Sequence, residues 1–182
     1  MYEEEDYRDE LTYYRRFPRV PVERRIGAFL IDFITVWFVS SFFSKAIGWL
    51  IFLIAWLIMR VIIVDRNQGQ SLGRYALDMK VIDTRFNRLP DLITLGKREG
   101  LLGFTAMLAS LGLNNFSNGL LLLFLLTPLL IDCVPAFFDE DLDRAFHDRL
   151  AETMIIQTPR GFSLDLRLKK IFAQIQRNMR KY

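Results

Sequence analysis

The sequence predicts an all-α membrane protein. We expect a four-helix transmembrane bundle with both termini in the cytoplasm, a small cytoplasmic β element and a C-terminal amphipathic helix. Of the 182 residues, 52% are hydrophobic and 25% are charged, and the apolar residues are gathered into four runs with most of the charges between them. These runs exclude a disordered or low-complexity protein, a disulfide scaffold and a secreted domain.

The first two apolar runs are long enough to cross a hydrocarbon core of about 30 Å as helices. Each holds one charge: Asp32 in the first, and Arg60 in the second, where we expect the long side chain to snorkel to the interface. The third run is short for a span. The fourth contains Pro128 and Pro135, which predict a kinked helix. The predicted spans are residues 26–44, 46–64, 99–113 and 119–138.

The basic residues predict the orientation of these spans, because cytoplasmic loops are enriched in Lys and Arg. Only Lys45 lies between the first two runs, and the loop at residues 114–118 has no basic residue. The remaining 23 of the 24 Lys and Arg residues all lie on the opposite side of the membrane in a four-span arrangement. The acidic start of the chain does not resemble a signal peptide. We therefore expect a multi-pass protein of the cell inner membrane, or of the thylakoid membrane in a phototroph.

Three regions follow from this topology. Residues 1–20 form an acidic and then basic cytoplasmic arm, residues 21–157 form the membrane domain, and residues 160–182 form a basic amphipathic helix. This helix has two interpretations: it lies on anionic lipid headgroups, or it packs on the protein's own cytoplasmic face. Nucleic acid is not an expected partner, since membrane topology explains the basic pI.

Short structured pieces are predicted between the spans. Ser71 is placed to cap a short interfacial helix, and residues 79–83 and 153–157 have the alternation and β-branching of strands. We expect the two strands to pair. The segment GQGQSLGR is not a phosphate-binding loop, because it lacks the Gly-Lys-Ser/Thr ending.

Charged residues inside apolar runs are the candidates for function. Arg25 and Asp32 are seven residues apart, close to two helical turns, so their side chains lie on one face. Asp32 is either a proton- or cation-binding carboxylate with Arg25 as its charge partner, or a polar contact that locks helices together. Asp132 lies between two prolines, where freed carbonyl groups favour a small cation or proton site, and snorkelling to the interface is the alternative.

Other polar residues have simpler interpretations. Arg60 and Asp65 are expected to join an interfacial charge network, and His147 to be a satisfied interfacial residue. With one histidine and Cys133 as the one cysteine, the chain has no paired-histidine or multi-cysteine motif. We predict no catalytic residue, no cofactor and no metal.

Three stretches, in this order and spacing, resemble the RDD family of small, mainly bacterial membrane proteins. They are RIGAFLID at residues 25–32, GQSLGR at 69–74 with KVID at 80–83, and RAFHDRLAET at 144–153. The family is named for one arginine and two aspartates, which by motif match fall on Arg25, Asp32 and Asp148. Arg98 resembles the basic residue ahead of the third span. The sequence departs from the pattern at Glu152, usually glycine, and at Arg74, commonly lysine.

The resemblance implies a polytopic membrane protein, with transport proposed for the family and cation/proton antiport attributed to some members. Our first hypothesis is therefore ion or proton-coupled transport, with Asp32 binding the ion, Arg25 as its partner, and Asp148 with Arg98 organising the cytoplasmic mouth. Four helices are too few for an obvious pathway, so we expect a homo-oligomer or a membrane-complex partner. The alternative is a non-catalytic scaffold or assembly factor, in which the polar residues are structural. An enzyme is not expected.

Overall fold

The computed structural model describes residues 20–139, 143–158 and 163–164. The predicted arm at residues 1–20 and the predicted amphipathic helix at residues 160–182 lie almost entirely outside the described residues. In chain order the elements are α1 (Val22–Ser41), α2 (Lys45–Leu57), a π-helical segment (Ile58–Ile62), α3 (Ile63–Arg66), α4 (Leu72–Ala76), β1 (Met79–Asp83), α5 (Leu92–Asn114), α6 (Gly119–Phe138), α7 (Phe146–Leu150) and β2 (Thr153–Gln157).

Three of the four long helices begin at a proline or at a side-chain cap. Pro21 directly precedes α1, the side chain of Asp91 accepts a hydrogen bond from the backbone N–H of Thr94 at the start of α5, and Asn118 does the same for α6. As a result α1 begins four residues before the predicted span, and α5 begins seven residues before it. Helix α6 covers the predicted residues and continues through both internal prolines.

Two of the long helices are long and apolar enough to cross a membrane: the continuous helix Lys45–Arg66, formed by α2, the π-helical segment and α3, and α6. Every stretch of 18 residues in α1 or α5 holds three or more charged residues, so these two helices do not pass the same test. Many large apolar side chains are nonetheless exposed along all four, among them Phe38 of α1 and Phe124 of α6. Lipid is the solvent that such surfaces suit.

The long helices pack in the order α1, α2, α5, α6, each against the next. Between α1 and α2 the core is aromatic, with the rings of Phe33 and Phe52 5.7 Å apart and those of Phe52 and Trp56 stacked at 5.8 Å. Gly103 lets α5 approach this core, because a Cβ there would lie 2.5 Å from Trp56 Cδ1. By contrast, α1 and α6 make few or no close backbone contacts, which leaves a cleft between them.

The short elements gather at one end of the long helices. Strands β1 and β2 pair antiparallel, with Met79 opposite Gln157 and Asp83 opposite Thr153. This is the pairing that the sequence predicts; its location in the cytoplasm stays a prediction. Ser71 caps α4, as predicted, by accepting a hydrogen bond from the backbone N–H of Arg74. Together α4, α7 and the sheet cover the end of the bundle where α1 and α5 begin and α2 and α6 end.

Candidate functional site

A network of buried charges lies under these short elements. Four arginines and four carboxylates form it, and each of the four long helices contributes at least one of them, as do α4 and α7. Seven of the eight side chains are almost fully buried, and the guanidinium-bearing side chain of Arg25 is only 10% exposed. The members are Arg25, Asp32, Arg60, Arg74, Arg98, Glu99, Asp132 and Asp148. All five predicted site residues are therefore in or next to one cluster.

Asp32 is completely buried and accepts three hydrogen bonds. Arg60 Nη1 donates to its Oδ2 at 2.6 Å, Ser71 Oγ donates to the same oxygen at 2.6 Å, and the backbone N–H of Gly73 donates to Oδ1 at 2.7 Å. The prediction that Arg25 is its charge partner is wrong. Two residues on one face of a helix share a direction, but Arg60 comes from the neighbouring helix and reaches the carboxylate directly.

Glycine is required at position 73 for this contact. A Cβ on Gly73 would lie 2.0 Å from the carbonyl oxygen of Ala28, so α4 meets the backbone of α1 there. This close approach brings the Gly73 N–H to Asp32. Ser71 and Gly73 of the GQSLGR element, at the start of α4, thus donate hydrogen bonds to the carboxylate of Asp32 in α1.

Arg60 does not snorkel to an interface, and the charge network that it joins is buried, whereas the sequence predicts an interfacial one. Its side chain is buried, its Nε donates to Glu99 Oε2 at 2.8 Å, and its guanidinium carbon lies 4.9 Å from the centre of the Trp56 ring. The π-helical segment Ile58–Ile62 contains Arg60 and breaks the regular helical repeat at that point. The charged partners on α1 and α5 hold Arg60 inside the protein.

Glu99 is the centre of the network, and the sequence analysis did not single it out. Its carboxylate accepts hydrogen bonds from three arginines: from Arg60, from Arg74 Nη2 at 2.7 Å, and from Nη1 of the adjacent Arg98. Desolvating an isolated carboxylate would cost several kcal/mol, and three guanidinium groups offset that cost here. The sequence does contain a signal for Glu99, because it is an acidic residue at the start of the third apolar run. Its partner Arg60 is the one charged residue in the second run.

Asp148 connects the other side of the network. Arg98 Nη2 donates to its Oδ1 at 2.6 Å, and Arg25 forms a salt bridge with its Oδ2. Burial alone would raise the pKa of Asp148, but the charges of Arg98, His147 and Arg25 hold that pKa well below its usual range. The predicted association of Asp148 with Arg98 is therefore observed, and Arg25 joins them instead of Asp32.

Asp132 and His147 form a buried pair. The backbone N–H of His147 donates to Asp132 Oδ1 at 3.0 Å, and His147 Nδ1 lies 2.5 Å from Oδ2. On the other side of the ring, His147 Nε2 lies 3.4 Å from Arg98 Nη2. His147 is thus buried and not interfacial, and Asp132 is bound to it and does not snorkel.

The chemical capacity of this site follows from its pairing. Each carboxylate accepts hydrogen bonds from an arginine or from His147, so none is left open for a cation. Among residues 20–139, 143–158 and 163–164, no three His, Cys, Asp or Glu side chains are arranged to hold a metal ion. The arrangement joins the four long helices to one another and to α4 and α7 at one end of the bundle.

Comparison with functionally described proteins and with solved structures gives no significant match. The model of the RDD family matches residues 19–152, which is well over half of the chain. That range contains the whole charge network, including Arg25, Asp32 and Asp148, on which the motif resemblance placed one arginine and two aspartates. Two of these, Arg25 and Asp148, form a salt bridge 123 residues apart in sequence. The chain therefore belongs to the RDD family and is a membrane protein.

Proposed function

We propose that this protein is a four-span membrane scaffold or assembly factor, with both termini in the cytoplasm and no catalytic activity. We place it in the cell inner membrane, or in the thylakoid membrane of a phototroph, bound to a membrane-complex partner. The one-sided distribution of Lys and Arg supports four spans. The buried charges support α1 and α5 as spans too, because Arg25, Asp32, Arg98 and Glu99 each meet an opposite charge inside the protein.

One observation carries the scaffold proposal: the hydrogen-bond capacity of Asp32 is used within the protein. A coupling ion would have to displace Arg60, Ser71 or the Gly73 N–H from a carboxylate that is fully buried. Removing one partner from such a buried pair costs about 3–5 kcal/mol, which is a large barrier to repeated ion binding and release. A lock of this kind suits a protein that presents fixed surfaces to partners.

The scaffold proposal is tested by affinity purification of the full chain from mild detergent. We expect a membrane partner in near-equal amount, and its loss when residues 160–182 are removed. A matched control neutralises Lys80 and Arg88, which lie in and after β1 and outside the charge network. Recovery of the chain only as a homo-oligomer, with or without residues 160–182, would contradict the assembly role.

Proton-coupled transport is the second candidate, and the His147–Asp132 pair favours it. His147 is the one histidine of the chain, and histidine changes protonation near neutral pH. It connects Asp132 to Arg98, so a proton arriving at His147 would alter the network. Transport through this pair predicts pH-dependent cation flux in proteoliposomes that Lys80→Gln, outside the network, leaves in place and His147→Gln abolishes. Equal flux from liposomes without protein would dismiss this candidate.

A further inference from the structure

The cleft between α1 and α6 leads to a cavity of about 280 Å³. Its polar wall is made by the four network arginines and His147, and no acidic residue is among the described residues that line it. The carboxylates of the network do not line the cavity. The charged side chains along it are therefore all basic, and they lie in a buried, low-dielectric position, where an anion is attracted more strongly than at a surface.

The arginines around this cavity do not each have a carboxylate of their own. Four guanidinium groups contact three carboxylates, Asp32, Glu99 and Asp148, while the fourth carboxylate is engaged by His147. Arg74 has the fewest partners. Its side chain forms one salt bridge, to Glu99, and its Nη1 is buried without a hydrogen-bond partner among the described residues. A buried donor without a partner is rare in folded proteins, and an anion at this position would supply the missing acceptor.

The remaining walls of the cavity are apolar and continue to the protein surface. Ile26 and Leu30 of α1 are 42% and 47% exposed, and Leu130 and Phe137 of α6 are 54% and 63% exposed. Because α1 and α6 do not close against each other, these side chains form the two sides of an open apolar groove. A molecule with an acidic head and an apolar tail matches both parts.

We infer that the cleft between α1 and α6 binds one anionic membrane lipid, with its phosphate on the arginine wall and its acyl chains along α1 and α6. A cavity of about 280 Å³ is at the lower end of ligand-site sizes, so it takes the headgroup while the chains stay in the groove. On the predicted topology this end of α1 and α6 lies in the cytoplasmic leaflet, where anionic lipids attract basic groups. This site is separate from the lipid contact predicted for residues 160–182.

The test is native mass spectrometry of the full chain, purified in non-ionic detergent and mixed with phosphatidylglycerol or phosphatidylcholine. We expect one tightly retained phosphatidylglycerol per chain and no retained phosphatidylcholine. Leu130→Trp, which fills the groove, and Arg74→Lys, which keeps one ammonium for Glu99 but removes the free N–H, are each expected to weaken retention at least about tenfold. For Arg74→Lys, a tenfold loss is what removing one charge-assisted hydrogen bond is expected to cause.

Matched controls separate this site from other sources of binding. Ile131→Trp makes a similar change at an exposed neighbouring position that does not line the cavity, and Lys169→Gln with Lys170→Gln reduces the charge of the C-terminal region. Both are expected to retain the lipid. Melting temperatures in detergent within about 3 °C of the parent show that the variants are folded.

Four results would overturn the inference. The first is equal retention of both lipids. The second is equal loss in Leu130→Trp and Ile131→Trp. The third is inorganic phosphate displacing phosphatidylglycerol at equal concentration, which makes the occupant a free anion. The fourth is retention that rises at least tenfold when Glu3, Glu4 and Glu5 are changed to Gln, which makes the occupant the chain's own acidic arm.

Discussion

Glu99→Gln is the most informative single change in the network, because Glu99 holds three arginines. Its Oε2 accepts from Arg60 Nε at 2.8 Å, and its Oε1 accepts from Arg74 Nη2 at 2.7 Å and from Arg98 Nη1. A glutamine has nearly the same volume but one acceptor oxygen and no charge. Whichever way its amide points, at least one guanidinium N–H then faces an amide N–H.

The expected cost is that of removing one partner from a buried ion pair, about 3–5 kcal/mol of the free energy of unfolding. For a chain of this size each kcal/mol lowers the melting temperature by about 2–4 °C, so we expect a decrease of roughly 6–20 °C. Circular dichroism during heating in mild detergent measures it. The matched control is Glu152→Gln, whose side chain is 55% exposed and pairs with exposed Arg85, for which we expect less than about 0.5 kcal/mol.

A second substitution tests whether charge balance is the cause. Combining Glu99→Gln with Arg74→Gln removes one cation along with the anion, so part of the lost stability is expected to return. If Glu99→Gln melts within about 2 °C of the parent, or if the second substitution only adds a further loss, Glu99 is not the residue that holds the arginines together. The network would then be a set of independent pairs.

Two further predictions follow from the same cluster. Because the pKa of Asp148 is lowered in the folded protein, the stability that Asp148 contributes is present above the unfolded pKa of about 3.9 and is lost as pH falls. Between about pH 5 and pH 3 the melting temperature of the parent is therefore expected to fall more steeply than that of Asp148→Asn. Equal slopes would contradict this. Gly73→Ala places a Cβ 2.0 Å from the Ala28 carbonyl oxygen and is expected to prevent folding to a stable protein in detergent. At Gly100 a Cβ meets nothing within 4 Å, so Gly100→Ala is expected to stabilise α5 by about 0.5–1 kcal/mol.

The helices were more predictable than their ends. Apolar run length located all four long helices, and it matched α6 at both ends because that helix is apolar throughout. The same measure missed the first seven residues of α5, Leu92–Arg98, because a helix that begins with Asp91 as its cap and continues through charged residues has no apolar run there. Charged residues were treated as helix boundaries, while in the structure they are interior positions with buried partners.

The candidate site was predictable as a set of residues and not as a set of contacts. Burial of a charge in an apolar run identified Asp32 and Asp132, helical spacing from Asp32 added Arg25, and the family resemblance added Asp148 and Arg98. Their pairing depends on which helices are neighbours, which the spacing within one helix does not contain. For this reason Arg25 was assigned to Asp32, although the π-helical segment brings Arg60 to Asp32 and α7 brings Asp148 to Arg25.

The salt bridge between Arg25 and Asp148 has a consequence for biosynthesis. Its partners are 123 residues apart, and the other hydrogen-bond acceptor of Arg25, the carbonyl oxygen of Asp143, is nearly as late. On a ribosome that adds about 5–20 residues per second, Arg25 therefore emerges roughly 6 to 25 seconds before its carboxylate exists. Throughout that interval Arg25 lacks its native partner and is open to lipid phosphates or a chaperone, so a nascent chain arrested before residue 143 should cross-link to such helpers at α1, and a completed chain should release them.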